Sequence, residues 1–401
     1  MLDSYTFFSK TRVLFGAGKL CELGDQELPG KRALVVTTGG KSVKANGYLD
    51  RTIAELDRAG VSHVLFDRIE PNPLRQTVND GGRLARAEGC DFVLALGGGS
   101  VMDACKGICA VAANPVPAAD GGESARDVWD YVTGGTAKGM RIEKDPLPLV
   151  CVTTTAGTGS EVDAGAVISC EETDEKLRLG DLRLIPVLAV VDPELMLTVP
   201  ARLTAFQGFD ALFHSIECFI ANNGNFMSDM ICRAGIAHAA SSLAACVADG
   251  SDLSARSELA FANTLGGYAM VASGCCGCHG TEHAMSAHHH SLPHGAGLIM
   301  IARAYHQHMI DVHACDERYV EMARLMGNAG AGEPADFIAE LDRLMRECGV
   351  DGLKMSDWGI EEDELDAMAE NGLSTNAALY AHDPAPLSHD DVVAILRASY
   401  R

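Results

Sequence analysis

The chain has 401 residues, of which 47 % are hydrophobic, and it carries a formal net charge of −23. This length predicts two or three domains of roughly 150 residues each, with enough apolar side chains for large cores. The negative charge disfavours binding to nucleic acids and to anionic membranes. The sequence shows neither an export signal nor an apolar run of the about 20 residues that cross a bilayer, so we expect a cytoplasmic protein.

The first half of the chain alternates between predicted strands and helices. Apolar runs predict strands at 12–15, 33–37, 61–66, 91–96 and 147–152. Helices are predicted at 47–59, at 75–88 and from the glycines near position 97 to Ala113. Buried strands that alternate with helices indicate a parallel sheet covered on both faces. The segment 114–146, which is rich in Gly, Pro and charge, is predicted to be a surface excursion.

Beyond Val199 and Pro200 the pattern changes to helical periodicity almost to the C-terminus. The sequence therefore predicts an α/β domain at 1–198, Rossmann-like and dinucleotide-binding, followed by an all-helical domain at 199–401.

A glycine-rich turn, Gly97-Gly98-Gly99-Ser100, follows the predicted strand 91–96 and opens the next helix. Glycines let backbone N–H groups approach a phosphate closely, and a helix N-terminus favours negative charge. The turn therefore indicates a pyrophosphate site, although a tight connection without a ligand has the same pattern.

Two further polar turns follow predicted strands. Hydroxyl groups of the segment 153–160, which include Thr154, Thr155 and Thr158, are suited to hydrogen bonds with a dinucleotide, since ligands of open α/β sheets bind beyond the carboxyl ends of the strands. After strand 33–37 the chain reads TGGKSVK at 38–44, with no acid before Asp50. A carboxylate on the ribose would repel a 2′-phosphate, so we expect this turn to accept NADPH.

In the second half, Asp210 and His214 are four residues apart within a helical apolar pattern. On a helix such residues share a face, so both can bind one ion, although the same spacing also occurs in surface pairs. Together with the downstream His283 and His294, they offer a carboxylate and three imidazoles to a divalent transition metal.

The chain contains 14 cysteines, and residues 275–279 read CCGCH. Without an export signal we expect reduced thiols rather than disulfides. The spacing C-x-x-C-H also matches covalent haem attachment or half of a zinc site. Structural cysteines are the interpretation that we favour.

Six motifs occur in a fixed order along the chain. They are RVLFGAGKL at 12–20, PNP at 71–73, GGGSVMDACKG at 97–107, TTAGTGSEV at 154–162, DALFHSIE at 210–217 and PHG at 293–295. With them, essentially the whole chain resembles the iron-containing (group III) alcohol dehydrogenases. The resemblance implies an N-terminal dinucleotide-binding domain and a C-terminal helical metal domain, the architecture shared with dehydroquinate synthase.

The resemblance also implies roles for particular residues. The metal ligands are expected to be Asp210, His214, His283 and His294. The cofactor-binding residues that the resemblance implies are Asn72, Gly97, Gly98, Gly99, Ser100, Asp103, Thr154, Thr155, Thr158 and Lys176. To these we add Gly39, Gly40 and Ser42 from the turn at 38–44. Many members have a further histidine four residues after the third ligand, where this chain has Ala287. His289, from the histidine run 288–290, is our candidate for that catalytic imidazole.

The expected activity is that of an NAD(P)-dependent alcohol dehydrogenase or aldehyde reductase, with Fe²⁺ bound and Zn²⁺ as the alternative. The expected partner is a small alcohol or aldehyde, without nucleic acid or membrane, and we expect a homo-oligomer, with a dimer favoured. The alternatives are a dehydroquinate synthase-like lyase and a non-catalytic metal-binding protein.

Overall fold

The structure is a computed structural model that describes residues 4–117 and 123–401. The chain divides into two units. The α/β unit comprises Ser9–Thr155 and Ser160–Thr198, and the helical unit comprises Ala156–Gly159, Val199–Arg401 and the described N-terminal residues up to Phe8. One division thus falls between Thr198 and Val199, but part of the turn 153–160 groups with the helices.

The α/β unit contains strands and helices in alternation. Its strands are β1 (Arg12–Phe15), β2 (Arg32–Thr38), β3 (Ser62–Ile69), β4 (Phe92–Gly97), β5 (Pro115–Pro117), β6 (Glu123–Ala125), β7 (Leu149–Thr153), β8 (Gly165–Cys170), β9 (Glu175–Gly180) and β10 (Leu188–Val191). Its α-helices are α1 (Ser42–Ala45), α2 (Tyr48–Arg58), α3 (Arg75–Ala87) and α4 (Gly99–Ala113).

Six strands form one parallel sheet in the order β1-β10-β7-β4-β2-β3. Alternate side chains of a strand point to opposite faces, and each face of this sheet belongs to a separate apolar core. Val93 and Ala95 of β4 pack with α4, whereas Phe92 and Leu94 pack with side chains of α2 such as Leu56. The predicted parallel sheet with two covered faces is confirmed.

The segment 114–146 differs from the expected surface excursion. It contains β5 and β6, which pair with each other, and Val128 and Trp129 are buried in the core on the α4 side of the sheet. The abundance of Gly and charge concealed this short apolar stretch. Residues 118–122 of the predicted excursion lie outside the described residues.

The helical unit contains ten α-helices in its described part. They are α5 (Ala201–Ile220), α6 (Phe226–Ala248), α7 (Leu253–Ala272), α8 (Gly277–His288), α9 (His294–Asp311), α10 (Asp316–Leu325), α11 (Ala335–Glu347), α12 (Leu365–Thr375), α13 (Ala377–Tyr380) and α14 (His389–Ser399). Helix α5 is central and packs against α6, α7 and α9. Helix α6 is long and apolar enough to cross a membrane, but half of its most apolar stretch is buried in this unit.

Candidate metal and cofactor sites

Helix α5 presents three polar side chains on one face. Asp210, His214 and Glu217 are separated by four and three residues, which is the spacing of neighbours along a helix surface. All three are buried, with Glu217 fully so. Their burial follows from the sequence around them, because Phe209, Phe213 and the other apolar residues of α5 bury the helix on most sides.

Three imidazoles surround one oxygen of Asp210. The ring nitrogens His214 Nδ1, His279 Nε2 and His294 Nε2 lie 3.6, 3.5 and 3.5 Å from Asp210 Oδ1. The rings of His214 and His279 stack with their centroids 4.6 Å apart, and those of His279 and His294 are 5.3 Å apart. We call these four residues the metal cluster.

Each imidazole of the metal cluster is held through its Nδ1 atom. His279 Nδ1 contacts Glu217 Oε1 at 2.6 Å, His214 Nδ1 contacts the carbonyl oxygen of Gly157 at 3.1 Å, and His294 Nδ1 pairs with the buried carboxylate of Glu282. Metal-bound histidines in proteins almost always have such a partner on the second nitrogen, since it fixes the tautomer and the ring orientation. In His279 and His294 the Nε2 atom is thereby left to face Asp210 Oδ1, whereas in His214 the same Nδ1 atom faces both Asp210 Oδ1 and Gly157.

The residues of the cluster fit a bound cation. Asp210 Oδ1 and His279 Nε2 are buried without a hydrogen-bond partner in the part of the chain that the structure describes. Asp210, Glu217 and Glu282 bring three buried carboxylates to one place. Buried charges of one sign require compensation, and a divalent ion on the cluster supplies it.

The ionisation of the cluster reflects the same excess of negative charge. Burial opposes the charge of Asp210, but His214 and His294 lower the pKa of this carboxyl below its usual range. Burial likewise opposes a proton on His279, yet the carboxylate of Glu217 raises the pKa of this imidazole to about 10. In the metal-free chain, a proton on His279 therefore supplies positive charge that a bound metal ion would otherwise supply.

The position of His279 differs from the ligand set expected from the sequence. The structure brings Asp210, His214 and His294 together, but it places His279 rather than His283 beside Asp210 Oδ1. His283 groups with Glu282 and His294, and its Nδ1 atom lies 3.3 Å from the side-chain oxygen of Asn376. Both histidines are on α8, four residues apart.

This arrangement accounts for the unexpected Ala287. If His279 is the third ligand, the residue four positions later is His283, and the imidazole that seemed to be replaced by Ala287 is present. His289, our candidate from the sequence, instead lies with its Nε2 atom 3.1 Å from Glu364 Oε2. The geometry favours His283 over His289 as the imidazole next to the cluster.

The start of α9 depends on a close helix contact. His294 is the first residue of α9 and Gly295 follows it. A Cβ atom at Gly295 would collide with the main-chain carbonyl of Phe206 on α5. The absent side chain therefore allows α9 to approach α5, which carries Asp210, and the PHG motif has a direct structural reason.

In the α/β unit, the glycine turn connects β4 to α4 as predicted. Gly97 ends β4, Gly98 is the N-cap of α4, and Gly99 and Ser100 begin the helix. A Cβ atom at Gly98 would lie 2.6 Å from Thr155 Oγ1, so this position has no room for a side chain. The close-packed backbone at a helix N-terminus is suited to the approach of a phosphate.

The neighbouring turns are tied to this one. The amide of Thr154 donates to the carbonyl oxygen of Gly97 at 3.0 Å, next to the end of β7. The amide of Asn72 donates to Ser100 Oγ at 3.3 Å, and Asn72 adopts the left-handed conformation with φ 54°. The side chain of Thr155 fills the space next to Gly98, whereas Thr158 belongs to the helical unit.

Asp103 and Lys176 contact other residues of the α/β unit. Asp103 accepts hydrogen bonds from Ser160 Oγ at 2.7 Å and from the amide of Val167 at 2.8 Å. Burial raises the pKa of Asp103 to about 6. Lys176 is buried on β9, opposite Ser169 of β8. Cofactor contacts of these two residues stay a prediction.

The turn after β2 carries Gly39 and Gly40, and Ser42 begins the short helix α1. Lys44 pairs with Asp67 of β3, while Lys41 is exposed. The carboxylate of Asp67, which is distant in the sequence, thus lies beside this turn. Residues 38–44 alone do not reveal this acid.

Four residues of the site, His279, Glu217, Glu282 and Asn376, were not predicted from the sequence. Glu217 was detectable, because it continues the helical face of Asp210 and His214 at the next turn. His279 was also detectable as the first residue of an i,i+4 histidine pair. Its place in the C-x-x-C-H pattern directed attention to the sulfurs instead. Glu282 and Asn376 carry no sequence signal of their own.

Two family models match the chain. The model for iron-containing alcohol dehydrogenase matches residues 10–193, and the model for the Fe-containing alcohol dehydrogenase family, C-terminal, matches residues 204–400. A 1,3-propanediol dehydrogenase of Klebsiella pneumoniae is 32 % identical over 100 % of this chain and 98 % of its own length. A probable NADH-dependent butanol dehydrogenase of Bacillus subtilis (strain 168) is 28 % identical over 99 % of this chain and 100 % of its own.

Solved structures agree with these matches. An archaeal halo-thermophilic alcohol dehydrogenase from a Red Sea brine pool superposes with a TM-score of 0.93 at 31 % identity, covering 100 % of this chain and 99 % of the other. A 1,3-propanediol oxidoreductase superposes with a TM-score of 0.88 at 30 % identity, covering 99 % and 100 %. The predicted fold, an α/β domain followed by a helical domain, is confirmed, and the chain belongs to the iron-containing alcohol dehydrogenase family.

Proposed function

We propose that this protein is a metal-dependent dehydrogenase that interconverts a small alcohol and its aldehyde with a nicotinamide dinucleotide. The observation that carries the proposal is the metal cluster, in which three anchored imidazoles surround one oxygen of a buried carboxylate. The proposal is supported by relatives named as propanediol and butanol dehydrogenases.

We assign Asp210, His214, His279 and His294 as the metal ligands. Imidazole and carboxylate ligands suit Fe²⁺ and Zn²⁺ alike, and family membership favours Fe²⁺. The side chain of His294 is 23 % exposed, compared with 4–6 % for the other three ligands, so the open side of the cluster is at His294. A catalytic metal site needs such an open position for substrate.

When bound, the metal polarises the substrate oxygen as a Lewis acid and the nicotinamide exchanges hydride with the substrate carbon. The chain's own part is to keep the ligands in place. The carboxylates of Glu217 and Glu282 contact the Nδ1 atoms of His279 and His294 and so hold the two rings in place. Burial of both carboxylates strengthens this orientation, because water does not compete for the hydrogen bonds.

The alcohol proton must be transferred during oxidation, and we assign this step to His283. Its ring centroid is 5.5 Å from that of His294. With a proton on Nδ1, His283 donates to the side-chain oxygen of Asn376, and Nε2 is then the basic atom. Asn376 is thus a positioning residue for the proton acceptor.

For the cofactor, we propose that the turns at Gly97–Ser100, Thr154–Thr155 and Gly39–Ser42 bind the dinucleotide. Dependence on NAD is supported by the butanol dehydrogenase relative, whose name states use of NADH. Acceptance of NADPH is our own addition. It rests on exposed Lys41 and on Ser42 in the turn after β2. Thr158, Asp103, Lys176 and Asn72 remain proposed contacts.

We further propose that the protein is cytoplasmic and forms a homo-oligomer, with a dimer favoured. Strand β1 lies at one edge of the six-stranded sheet, and such an edge offers backbone groups to a second chain.

Two other functions are less well supported. A lyase acting on a phosphorylated substrate needs several cationic side chains near its metal, whereas buried carboxylates surround this cluster. A non-catalytic metal-binding protein would leave the glycine turn at Gly98 without a purpose.

The test is metal analysis of anaerobically purified protein, followed by aldehyde reduction with NADH and NADPH in parallel. We expect one metal ion per chain and metal-dependent reduction. His214→Ala should lose most of the metal, while His238→Ala, which removes an exposed histidine paired with Glu258, should keep it. Full metal occupancy in His214→Ala would contradict the ligand assignment, and absence of reduction by the metal-loaded protein would contradict the proposed activity.

A further inference from the structure

A second group of potential ligands overlaps the metal cluster. One ring nitrogen of His214, one of His279 and the sulfur of Cys275 lie within 4.8 Å of one another, and all three residues are buried. Cys275 precedes α8 and is 6 % exposed. The proposed catalytic set contains only nitrogen and oxygen donors and leaves this sulfur without a role.

A second sulfur stands directly beside the first. A hydrogen bond joins the thiols of Cys275 and Cys218, and Cys218 follows Glu217 on α5. A thiol that donates to a neighbouring sulfur stabilises the thiolate form of that sulfur. Here Cys275 is the donor: this hydrogen bond, together with burial, raises the pKa of Cys275, and it favours the thiolate of Cys218. A bound metal ion therefore has to displace the proton of Cys275.

The two overlapping groups differ in chemical softness. Asp210 offers a hard carboxylate oxygen, whereas Cys275 offers a soft sulfur, and both share His214 and His279. Thiolate ligands select ions such as Zn²⁺ and Cd²⁺, and carboxylates favour harder ions. Two imidazoles and a thiolate are an ordinary ligand set for zinc.

We propose that His214, His279 and Cys275 form a binding site for a thiophilic divalent cation, with Cys275 as a thiolate ligand. The proposal rests on the assignment of His214 and His279 in the proposed function. Because both positions need the same two imidazoles, the thiophilic ion and iron cannot bind at the same time. On binding, the S–H bond of Cys275 and the N–H bond of His279 Nε2 break, metal–sulfur and metal–nitrogen bonds form, and both protons leave to the buffer without any change in oxidation state.

The experiment uses metal-free, full-length protein titrated with CdCl₂ under reducing, anaerobic conditions. Binding stoichiometry is measured by calorimetry, and the sulfur-to-metal charge-transfer absorption in the near ultraviolet reports a thiolate ligand. We expect one Cd²⁺ per chain with this absorption, and at least tenfold slower iron uptake in the Cd²⁺-loaded protein.

The matched variants are Cys275→Ser and Cys278→Ser. Cys278 is also buried at the start of α8 but does not belong to the group with His214 and His279. Loss of the absorption in Cys275→Ser, with retention in Cys278→Ser, supports the proposal. The wild-type titration decides independently if Cys275→Ser does not fold, since Cd²⁺ binding without charge transfer overturns the proposal.

The outcomes separate this proposal from the proposed function. Charge transfer that persists in Cys275→Ser, or a protein that binds Fe²⁺ but not Cd²⁺, overturns the role of Cys275 and leaves the iron site intact. A protein that binds neither ion overturns both proposals.

Discussion

In the helical unit, two buried carboxylates and one main-chain carbonyl hold the three imidazoles around Asp210, whereas in the α/β unit the turn at Gly98 presents a backbone without any side chain. The geometry of the metal cluster depends on contacts made by its side chains. The geometry of the glycine turn depends on the absence of a side chain at Gly98, because even a methyl group there would reach Thr155. Removal of a side chain should therefore damage the metal cluster, and addition of one should damage the glycine turn.

Among substitutions that leave the metal ligands in place, the largest effect on binding is expected at the carboxylate that contacts His279 Nδ1. Glu217→Gln keeps the shape of the side chain but removes the charge that orients and polarises His279 Nδ1. Loss of such an outer partner typically lowers metal affinity about 10- to 100-fold. Competition with a chelator of known affinity measures the change. Glu258→Gln, which alters the exposed pair between His238 of α6 and Glu258 of α7, is the matched control, and equal losses in both variants would contradict the role of Glu217.

The glycine turn supplies the opposite test. Gly98→Val puts a branched side chain where a Cβ atom already lies 2.6 Å from Thr155 Oγ1. We expect the Kd for the dinucleotide to rise at least about tenfold, or about 1.4 kcal/mol, while metal content stays unchanged. Gly352→Val is the control, since a Cβ atom there has open space around it. Unchanged dinucleotide affinity in folded Gly98→Val would remove the turn from the cofactor site.

Asp383 connects stability to pH in the helical unit. Its Oδ1 atom accepts from the amide of Gly277, at the start of α8, and from the hydroxyl of Tyr305. Burial raises its pKa from 3.8 to about 7. Between these values the folded chain binds more protons than the unfolded chain, so the free energy of unfolding should fall as pH rises from about 4 to about 7.

Asp383→Asn keeps an oxygen acceptor but cannot titrate. Its stability should depend less on pH than that of the wild type, with a difference of up to about 4 kcal/mol across this range at about 1.36 kcal/mol per pKa unit. Urea unfolding at several pH values measures it. Burial also raises the pKa of Asp103, to about 6, so the wild-type slope contains both carboxyls and the variant retains the second. Parallel curves for the wild type and Asp383→Asn would contradict the assignment.

The smallest effect concerns cofactor preference. Lys44 is paired with Asp67, so Lys41 is our candidate cation for a 2′-phosphate. Lys41→Ala should lower kcat/KM for NADPH about two- to fivefold relative to NADH, because one exposed charge contributes roughly 0.2–1 kcal/mol. Lys31→Ala, at another exposed site in the α/β unit, serves as the control. A hundredfold advantage of the wild type for NADH would show that a carboxylate such as Asp67 reads the ribose.

The sheet was predicted well from the sequence, because apolar strands that alternate with helices, and glycines in the turns between them, are local signals. Strand β4 and the turn at Gly97 and Gly98 were located within one residue. The pair Asp210 and His214 was likewise visible, because helical spacing is local. The cofactor-binding role of these turns stays a prediction.

Contacts between distant segments could not be predicted in the same way. Asp67 reaches Lys44 from the next strand, and Asn376 reaches His283 across 93 residues. The choice between His279 and His283 also required the structure. Both lie on the same helix, and the sequence does not show which of the two rings faces Asp210.

The most direct test of the account is the metal content of His279→Ala and His283→Ala, purified anaerobically side by side. If His279 is a ligand and His283 a proton acceptor, His279→Ala should lose most of its metal. His283→Ala should keep about one ion per chain while its turnover falls. Retention of metal by His279→Ala together with its loss from His283→Ala would contradict the account.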